Sequence, residues 1–181
     1  MTNRYFPESP CEQTQRECLR QIDGADPEEG VEIVDLLFDY VVHLTAHIPP
    51  PKAGELTPTV RRGRTLFNDV GCAGCHTPNH QTRYGEIWPY TDLLLHDMGE
   101  GLADHRPEGE ANGREWRTAP LWGLGTQKTV SGHTELLHDG RAKNLVEAVL
   151  WHGGEAAPVR ERFLQLSKED IDALRAFVRA I

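Results

Sequence analysis

Apolar side chains recur at three- and four-residue steps in several stretches of the chain, and this spacing is typical of amphipathic helices. In the longest stretch, one helical face carries Val31, Val34, Phe38 and Val41. Four helices are predicted on this basis, and they span 27–48, 58–70, 144–152 and 168–180. The sequence therefore predicts a fold that is mainly α.

Capping residues mark where two of these helices begin. Thr57 precedes Pro58, which combines an N-cap side chain with a proline at the first helical position. Ser167 is followed three residues later by Asp170, which is the spacing of a capping box. Gly71 is suited to end the second helix, because glycine accepts the left-handed conformation that often follows a helix.

The middle of the chain, residues 77–142, is rich in glycine, proline and tryptophan and has few periodic segments. We predict long ordered loops with short turns there. Loops of this length are unusual in an ordinary domain, but they are expected where a large cofactor supplies part of the core. The predicted organisation is one domain over 1–181, with an irregular N-terminal loop at 1–25 and a cofactor-binding core at 26–181.

Composition argues against two classes of partner. The 181 residues carry a net charge of −9, which would be repelled by a nucleic-acid backbone but would attract a basic protein. The mean hydropathy is −0.53, and no apolar run approaches the ~20 residues of a membrane helix, so no membrane span is predicted. The first ten residues lack the apolar segment of a signal peptide, so none is predicted.

The stretch GCAGCH at 71–76 places two thiols and an imidazole close together, in Cys72, Cys75 and His76. A zinc site would need about four ligands, and no second C-x-x-C or H-x-x-x-H follows. A redox dithiol would be expected in a βαβ unit, whereas the flanking residues indicate helix and loop. The pattern C-x-x-C-H is the attachment signature of c-type haem. We therefore predict one covalently bound haem c, with His76 as the proximal iron ligand.

Two further cysteines, Cys11 and Cys18, lie in the N-terminal loop. Haem c implies an oxidising compartment, in which disulfides persist. A Cys11–Cys18 disulfide and a periplasmic location are therefore expected, with two free thiols as the alternative to the disulfide. The bridge would anchor a loop that has few other fixed points.

The residue on the other side of the iron decides the function, because a second strong ligand favours electron transfer and an open position permits peroxide chemistry. Met98 is the only methionine after Met1, and a thioether suits haem iron. His152 is the second candidate, since it follows Leu145 and Ala148 on the apolar face of a predicted helix. Composition favours Met98, and His152 remains the alternative.

Five longer segments stand out, and they are GCAGCHTP, YTDLLLHDMGEGLAD, EWRTAPLWGLG, LLHDGRAKNLVEAVLWHGGEA and LSKEDIDALRAFV. In this order they resemble the C-terminal haem half of the di-haem thiol oxidoreductase family, which is related to bacterial di-haem cytochrome c peroxidases. The resemblance covers nearly the whole chain and implies a cytochrome c-like haem domain. The family has two haems, whereas this sequence has one C-x-x-C-H. The chain is therefore either part of a di-haem protein or a short mono-haem relative, and the expected partner is a second haem domain or another redox protein.

The resemblance also bears on the iron ligand opposite His76. In the relatives, the last position of L-x-E-A-V-x-x-M supplies the distal ligand, and His152 occupies the matching position in LVEAVLWH. The loop F-H-N-I-G of the relatives resembles LHDMG, which would make Met98 a packing residue. The resemblance thus ranks His152 above Met98. Arg117 and Arg141 are candidates for pairing with the haem propionates.

The predicted function is electron transfer through one six-coordinate haem, with His76 and His152 as axial ligands. The alternative is a peroxidase-like or thiol oxidoreductase enzyme, in which the distal ligand leaves and peroxide enters. His96 or His138 would then be the candidate acid–base group. A third possibility is a module that docks on another redox protein without chemistry of its own.

Overall fold

In the computed structural model, the described residues are 16–19, 31–43, 56–83 and 85–181, and they belong to two units, 1–45 and 46–181. The described part of the first unit contains helices α1 (Arg16–Leu19) and α2 (Val31–His43). α2 lies within the predicted helix at 27–48, whose predicted ends fall outside the described residues. Cys11 also lies outside them, and so does its predicted disulfide to Cys18.

The described part of the second unit contains five α-helices and two antiparallel hairpins. The helices are α3 (Pro58–Val70), α4 (Gln127–Ser131), α5 (Leu145–Leu150), α6 (Ala157–Leu164) and α7 (Lys168–Val178). The hairpins pair β1 (His80–Thr82) with β2 (Gly85–Ile87), and β3 (Leu95–Asp97) with β4 (Glu115–Arg117). The prediction of a mainly α fold is confirmed. Within the described ranges, no helix has the length and apolar character that a membrane crossing requires.

The sequence around α3 forms both of its predicted caps. The Thr57 side chain accepts a hydrogen bond from the Val60 N–H at 3.3 Å, and Pro58 opens the helix. Gly71 has a φ of 100°, and its N–H donates to the Asn68 carbonyl at 3.0 Å. Glycine takes this left-handed conformation without steric cost. α3 therefore ends directly before the cysteine motif.

The core of the second unit is centred on the contact between α3 and α7. Gly63 is buried at this contact, where a Cβ atom would lie 2.0 Å from the Ala173 carbonyl oxygen. Phe67 of α3 packs edge-on against Phe177 of α7, with ring centroids 5.4 Å apart. The buried Tyr90 ring lies 5.9 Å from both of them. This packing fixes the end of α3 from which the cysteine motif starts.

The structure differs from the sequence prediction at the helix ends and in the middle of the chain. The helices predicted at 144–152 and 168–180 each end about two residues too late, which is a common error because helix ends fray. The prediction misses α4 and α6, and both begin without a side-chain cap. It also misses both hairpins, because strands of three residues are too short to show an alternating pattern.

Candidate functional site

A cavity of about 390 Å³ in the second unit brings together the residues that the sequence singles out. Its wall includes all five predicted site residues, which are Cys72, Cys75, His76, Met98 and His152. Leucine, valine, alanine and proline residues make up much of the remaining wall. Such a volume and such an apolar lining are typical of small-molecule and cofactor sites.

One turn of the chain places both thiols and the imidazole of the C-x-x-C-H motif on this wall. After Gly71, residues Cys72–Gly74 form a 3₁₀ turn, and the His76 N–H donates to the Cys72 carbonyl at 2.9 Å. Arg162 of α6 supports the turn, because its Nε donates to the Val70 carbonyl at 2.6 Å. The motif is thus held by α3 on one side and by α6 on the other.

The His76 ring is oriented by a backbone carbonyl. Its Nδ1 lies 3.0 Å from the Tyr90 carbonyl oxygen. Because a carbonyl oxygen only accepts, Nδ1 carries the proton and the lone pair of the neutral ring is on Nε2. Tyr90 has a φ of 57°, which is uncommon for a residue with a side chain, and its ring packs against Phe67 and Phe177. Core packing therefore fixes the carbonyl that orients His76.

His152 is oriented in the same way, just beyond the end of α5. Its Nδ1 lies 2.7 Å from the Ala148 carbonyl oxygen, one helical turn earlier. The lone pair of the neutral ring is again on Nε2. The two imidazoles are close enough for a charge on His152 to lower the pKa of His76. The cavity wall therefore presents two imidazoles, each with a fixed ring.

Burial keeps both imidazoles neutral. It lowers the pKa of His76 to about 4, against smaller raising effects of the Tyr90 carbonyl and of Asp92. Burial also lowers the pKa of His152, and its hydrogen bond to the Ala148 carbonyl opposes this shift. At neutral pH, both rings are therefore in the protonation state that binds a metal.

The two thiols are poorly suited to dithiol redox chemistry. Burial raises the pKa of Cys72 to about 11. Burial and the nearby carboxylates of Asp92 and Glu155 raise the pKa of Cys75. Reactive dithiol motifs have lowered pKa values, because the thiolate is the nucleophile. This environment argues against the redox-dithiol interpretation of the motif.

Met98 and His152 lie on two segments whose backbones are in direct contact. A Cβ atom on Gly153 would lie 2.8 Å from the Met98 carbonyl oxygen, and one on Gly154 would lie 2.0 Å from the Asp97 carbonyl oxygen. Glycine alone permits this approach, and Gly154 also has a φ of 51°. Both candidate distal ligands therefore border the same cavity, and the packing does not favour one over the other.

A charged cluster beside Cys75 is a feature that the sequence analysis missed. His96 Nε2 lies 2.8 Å from Asp92 Oδ2, and His96 Nδ1 lies 2.8 Å from Glu155 Oε2. Carboxylates only accept, so the imidazole donates from both nitrogens and is protonated. The hydrogen bonds to Glu155 and Asp92 accordingly raise the pKa of His96. The other Glu155 oxygen accepts the Asp97 N–H at 3.1 Å.

The same cluster bears on the zinc interpretation. Among the described residues, Cys75, Asp92 and His96 form the one group of possible metal ligands whose donor atoms lie within 4.8 Å of one another. To bind a metal there, His96 would have to give up one of its two carboxylate partners. The group would also use a cysteine of the C-x-x-C-H motif. The zinc interpretation therefore gains little support.

Two arginines border the cavity, and only one of them, Arg117, was expected from the sequence. Arg117 lies on the wall, as expected for a propionate partner, and Arg160, which the sequence analysis did not select, lies there too. Arg141 is not among the wall residues. Its Nε donates to Asp139 Oδ2 at 2.6 Å, and its guanidinium lies 4.8 Å from the centre of the Trp151 ring. Arg160 is therefore a further candidate propionate partner, and Arg141 lies off the wall.

The residues present fit a haem. Two thiols at the C-x-x-C-H spacing, a neutral imidazole beside them and a largely apolar cavity are the groups that such a cofactor requires. A helical chain with such a site fits the class of haem-binding proteins. The model of the family described as "di-haem oxidoreductase, putative peroxidase" matches residues 1–181, so the chain belongs to that family. The resemblance seen in the sequence is confirmed.

Membership of this family assigns haem-based redox chemistry as the class of function. No curated protein and no solved structure gives a significant match to the chain.

Proposed function

We propose that the chain is a c-type haem domain that transfers single electrons within the di-haem oxidoreductase family. One observation carries the proposal, namely that Cys72, Cys75, His76 and His152 all border a single cavity. When bound, haem supplies reversible one-electron iron chemistry. The residues of the chain would attach it, orient the imidazoles that bind its iron and surround it with apolar side chains.

Attachment and proximal ligation are proposed for the turn after α3. Cys72 and Cys75 would hold one haem through thioether bonds, and His76 would bind the iron through Nε2. The Tyr90 carbonyl supports this role, because it holds Nδ1 and so keeps the His76 ring in one orientation. Arg117 and Arg160 are proposed to pair with the propionates.

His152 is proposed as the distal ligand, and Met98 as a packing residue. Support comes from the Ala148 carbonyl, which leaves Nε2 as the metal-binding nitrogen of His152. It also comes from the sequence, where His152 stands at the position of the distal ligand in related proteins. If both imidazoles bound the iron, they would leave no position for peroxide, and electron transfer is therefore the favoured function.

A second candidate function is peroxide reduction, and the His96 cluster favours it. A protonated imidazole between two carboxylates at the cavity wall is a group that can transfer protons. His138 suits that role less well, because its ring stacks on Trp116 at 3.7 Å. This function requires the distal position on the iron to open.

The electron partner is proposed to carry a haem of its own. The family description names two haems, whereas the sequence has one C-x-x-C-H, so the partner would be a second haem domain or another redox protein. The net charge of −9 favours a partner with a basic surface. The periplasm is the proposed location, since an oxidising compartment suits haem c and the expected disulfide.

The ferric absorption spectrum of the haem-loaded protein tests the ligand assignment. The unmodified protein should be low-spin, without the far-red band of a sulfur–iron bond. His152→Ala should convert the spectrum to high-spin, because the iron loses a strong ligand. Met98→Leu is the matched control, and it should leave the low-spin spectrum unchanged.

Two outcomes would change the proposal. A far-red band that disappears in Met98→Leu would assign Met98 as the distal ligand. A high-spin spectrum of the unmodified protein would indicate an open position on the iron, and peroxide reduction would then replace electron transfer as the proposed function.

A further inference from the structure

We propose that the ion pair between His96 and Glu155 is a latch that controls how readily the distal ligand leaves the iron. This inference rests on the proposed function, in which His152 is that ligand. His96 and Glu155 are positioning residues in this scheme and do not bind the iron. They join the segment that follows the cysteine motif to the segment that follows His152.

The first end of the latch is built into β3 and the residues just before it. His96 Nε2 contacts Asp92 Oδ2 at 2.8 Å, and the side chains of His96 and Asp92 are only 17% and 13% exposed. The other oxygen of Asp92 accepts the Leu94 N–H at 2.9 Å. The imidazole is therefore held in one orientation, with Nδ1 directed towards Glu155.

The second end of the latch lies three residues after His152. Glu155 uses both carboxylate oxygens, one towards His96 Nδ1 at 2.8 Å and one towards the Asp97 N–H at 3.1 Å. Between His152 and Glu155, Gly154 is packed closely against the Asp97 carbonyl. The turn that follows His152 is thus fastened to β3 by charge and by close backbone contact.

Release of the distal ligand would require this turn to move. A displacement of His152 away from the iron shifts the residues that follow it, and this shift strains the two hydrogen bonds of Glu155. Hydrogen bonds between charged groups are about twice as strong as neutral ones. Glu155 is 56% exposed, so solvent weakens its interaction with His96. Because Glu155 also binds the Asp97 N–H, part of the restraint on the turn remains. The latch therefore slows ligand release by a modest factor.

Cyanide binding to the ferric, haem-loaded protein measures this release, because cyanide enters only after the distal ligand has left. In stopped-flow experiments, Glu155→Gln should raise the limiting rate about fivefold, and His96→Gln should raise it by a similar factor. The double variant should be no faster than the faster of the two single variants, because either substitution already breaks the ion pair that the two residues share. The matched control is His105→Gln, which changes an exposed histidine–carboxylate contact with Glu100 away from the cavity wall and should leave the rate unchanged.

The outcomes separate the latch from the function on which it rests. Equal cyanide rates in the unmodified protein and in Glu155→Gln would overturn the latch, and so would additive increases in the double variant. A low-spin spectrum in His152→Ala would overturn the ligand assignment and the latch together. A high-spin His152→Ala combined with an unchanged Glu155→Gln would overturn the latch alone. Because Glu155 is a surface residue, its variant should fold even if His96→Gln does not.

Discussion

His76 and His152 show how backbone atoms fix an imidazole so that Nε2 is left as the nitrogen that could bind a metal. Each ring is bonded through Nδ1 to a carbonyl, of Tyr90 in one case and of Ala148 in the other. The Ala148 contact is local to one helical turn, so the helical pattern around His152 anticipates it. The Tyr90 contact depends on a residue with a φ of 57°, and no sequence pattern reveals that conformation.

Asp170 provides a prediction of pH dependence at the scale of a single residue. Its carboxylate accepts a hydrogen bond from Arg62 Nε, and this bond lowers the pKa of Asp170 below its ordinary value of 3.8. A lowered pKa in the folded state stabilises the fold above the ordinary value, and this stabilisation is lost as the pH falls through the folded-state pKa. Asp170→Asn should therefore lower the urea midpoint of the haem-loaded protein at pH 7. The midpoints of the variant and of the unmodified protein should converge well below pH 3.8.

Arg62→Gln is the partner variant for this experiment, because it removes the other half of the same contact. It should lower the urea midpoint at neutral pH as Asp170→Asn does, and its midpoint should likewise converge with that of the unmodified protein in acid. If the difference in urea midpoint between Asp170→Asn and the unmodified protein stayed constant down to low pH, helix capping and not charge would explain the lost stability.

At the scale of elements, the crossing of α3 and α7 is the contact most sensitive to side-chain size. Gly63→Ala would place a Cβ atom 2.0 Å from the Ala173 carbonyl oxygen. Overpacking typically costs about 1–3 kcal/mol, whereas alanine gains about 1 kcal/mol over glycine in a helix. The expected net loss in the free energy of unfolding is therefore up to about 2 kcal/mol, measured by urea denaturation of the haem-loaded protein.

Arg64→Ala is the control for this experiment, since Arg64 is exposed on the same helix. It should change the free energy of unfolding by less than about 0.5 kcal/mol. If Gly63→Ala instead stabilised the protein, the gain in helix propensity would exceed the steric cost at the crossing. The close approach of α3 and α7 would then not restrict the size of this residue.

At the scale of the whole molecule, the net charge of −9 predicts that electron transfer depends on salt. Reduction of the haem-loaded protein by a cationic metal complex should slow between about 0.01 M and about 0.15 M ionic strength, because salt screens the attraction. Reduction by an anionic complex should become faster over the same range. Stopped-flow rate constants for both reagents measure the effect. Reversed responses, with the cationic complex faster and the anionic complex slower as salt rises, would show that charges close to the haem outweigh the net charge.

The features that the sequence predicts correctly depend on neighbouring residues with a recognisable pattern, whereas the contacts between distant residues leave no such pattern. The caps of α3 and the C-x-x-C-H turn lie within a few residues of one another, so their patterns are visible in the chain. The contact between His96 and Glu155 spans 59 positions, and nothing at either position indicates the other. Arg160 was missed for a related reason, because it lies on α6, a helix that was not predicted.

The pairing of α3 with α7 also sets an order of events during synthesis. The cysteine motif leaves the ribosome directly after α3, whereas α7 follows only after the hairpins, α5 and α6. Until then, Phe67 lacks its contact with Phe177, and the end of α3 from which the cysteine motif starts lacks that part of its core. The packing that fixes this turn is therefore complete only after α7 has been synthesised.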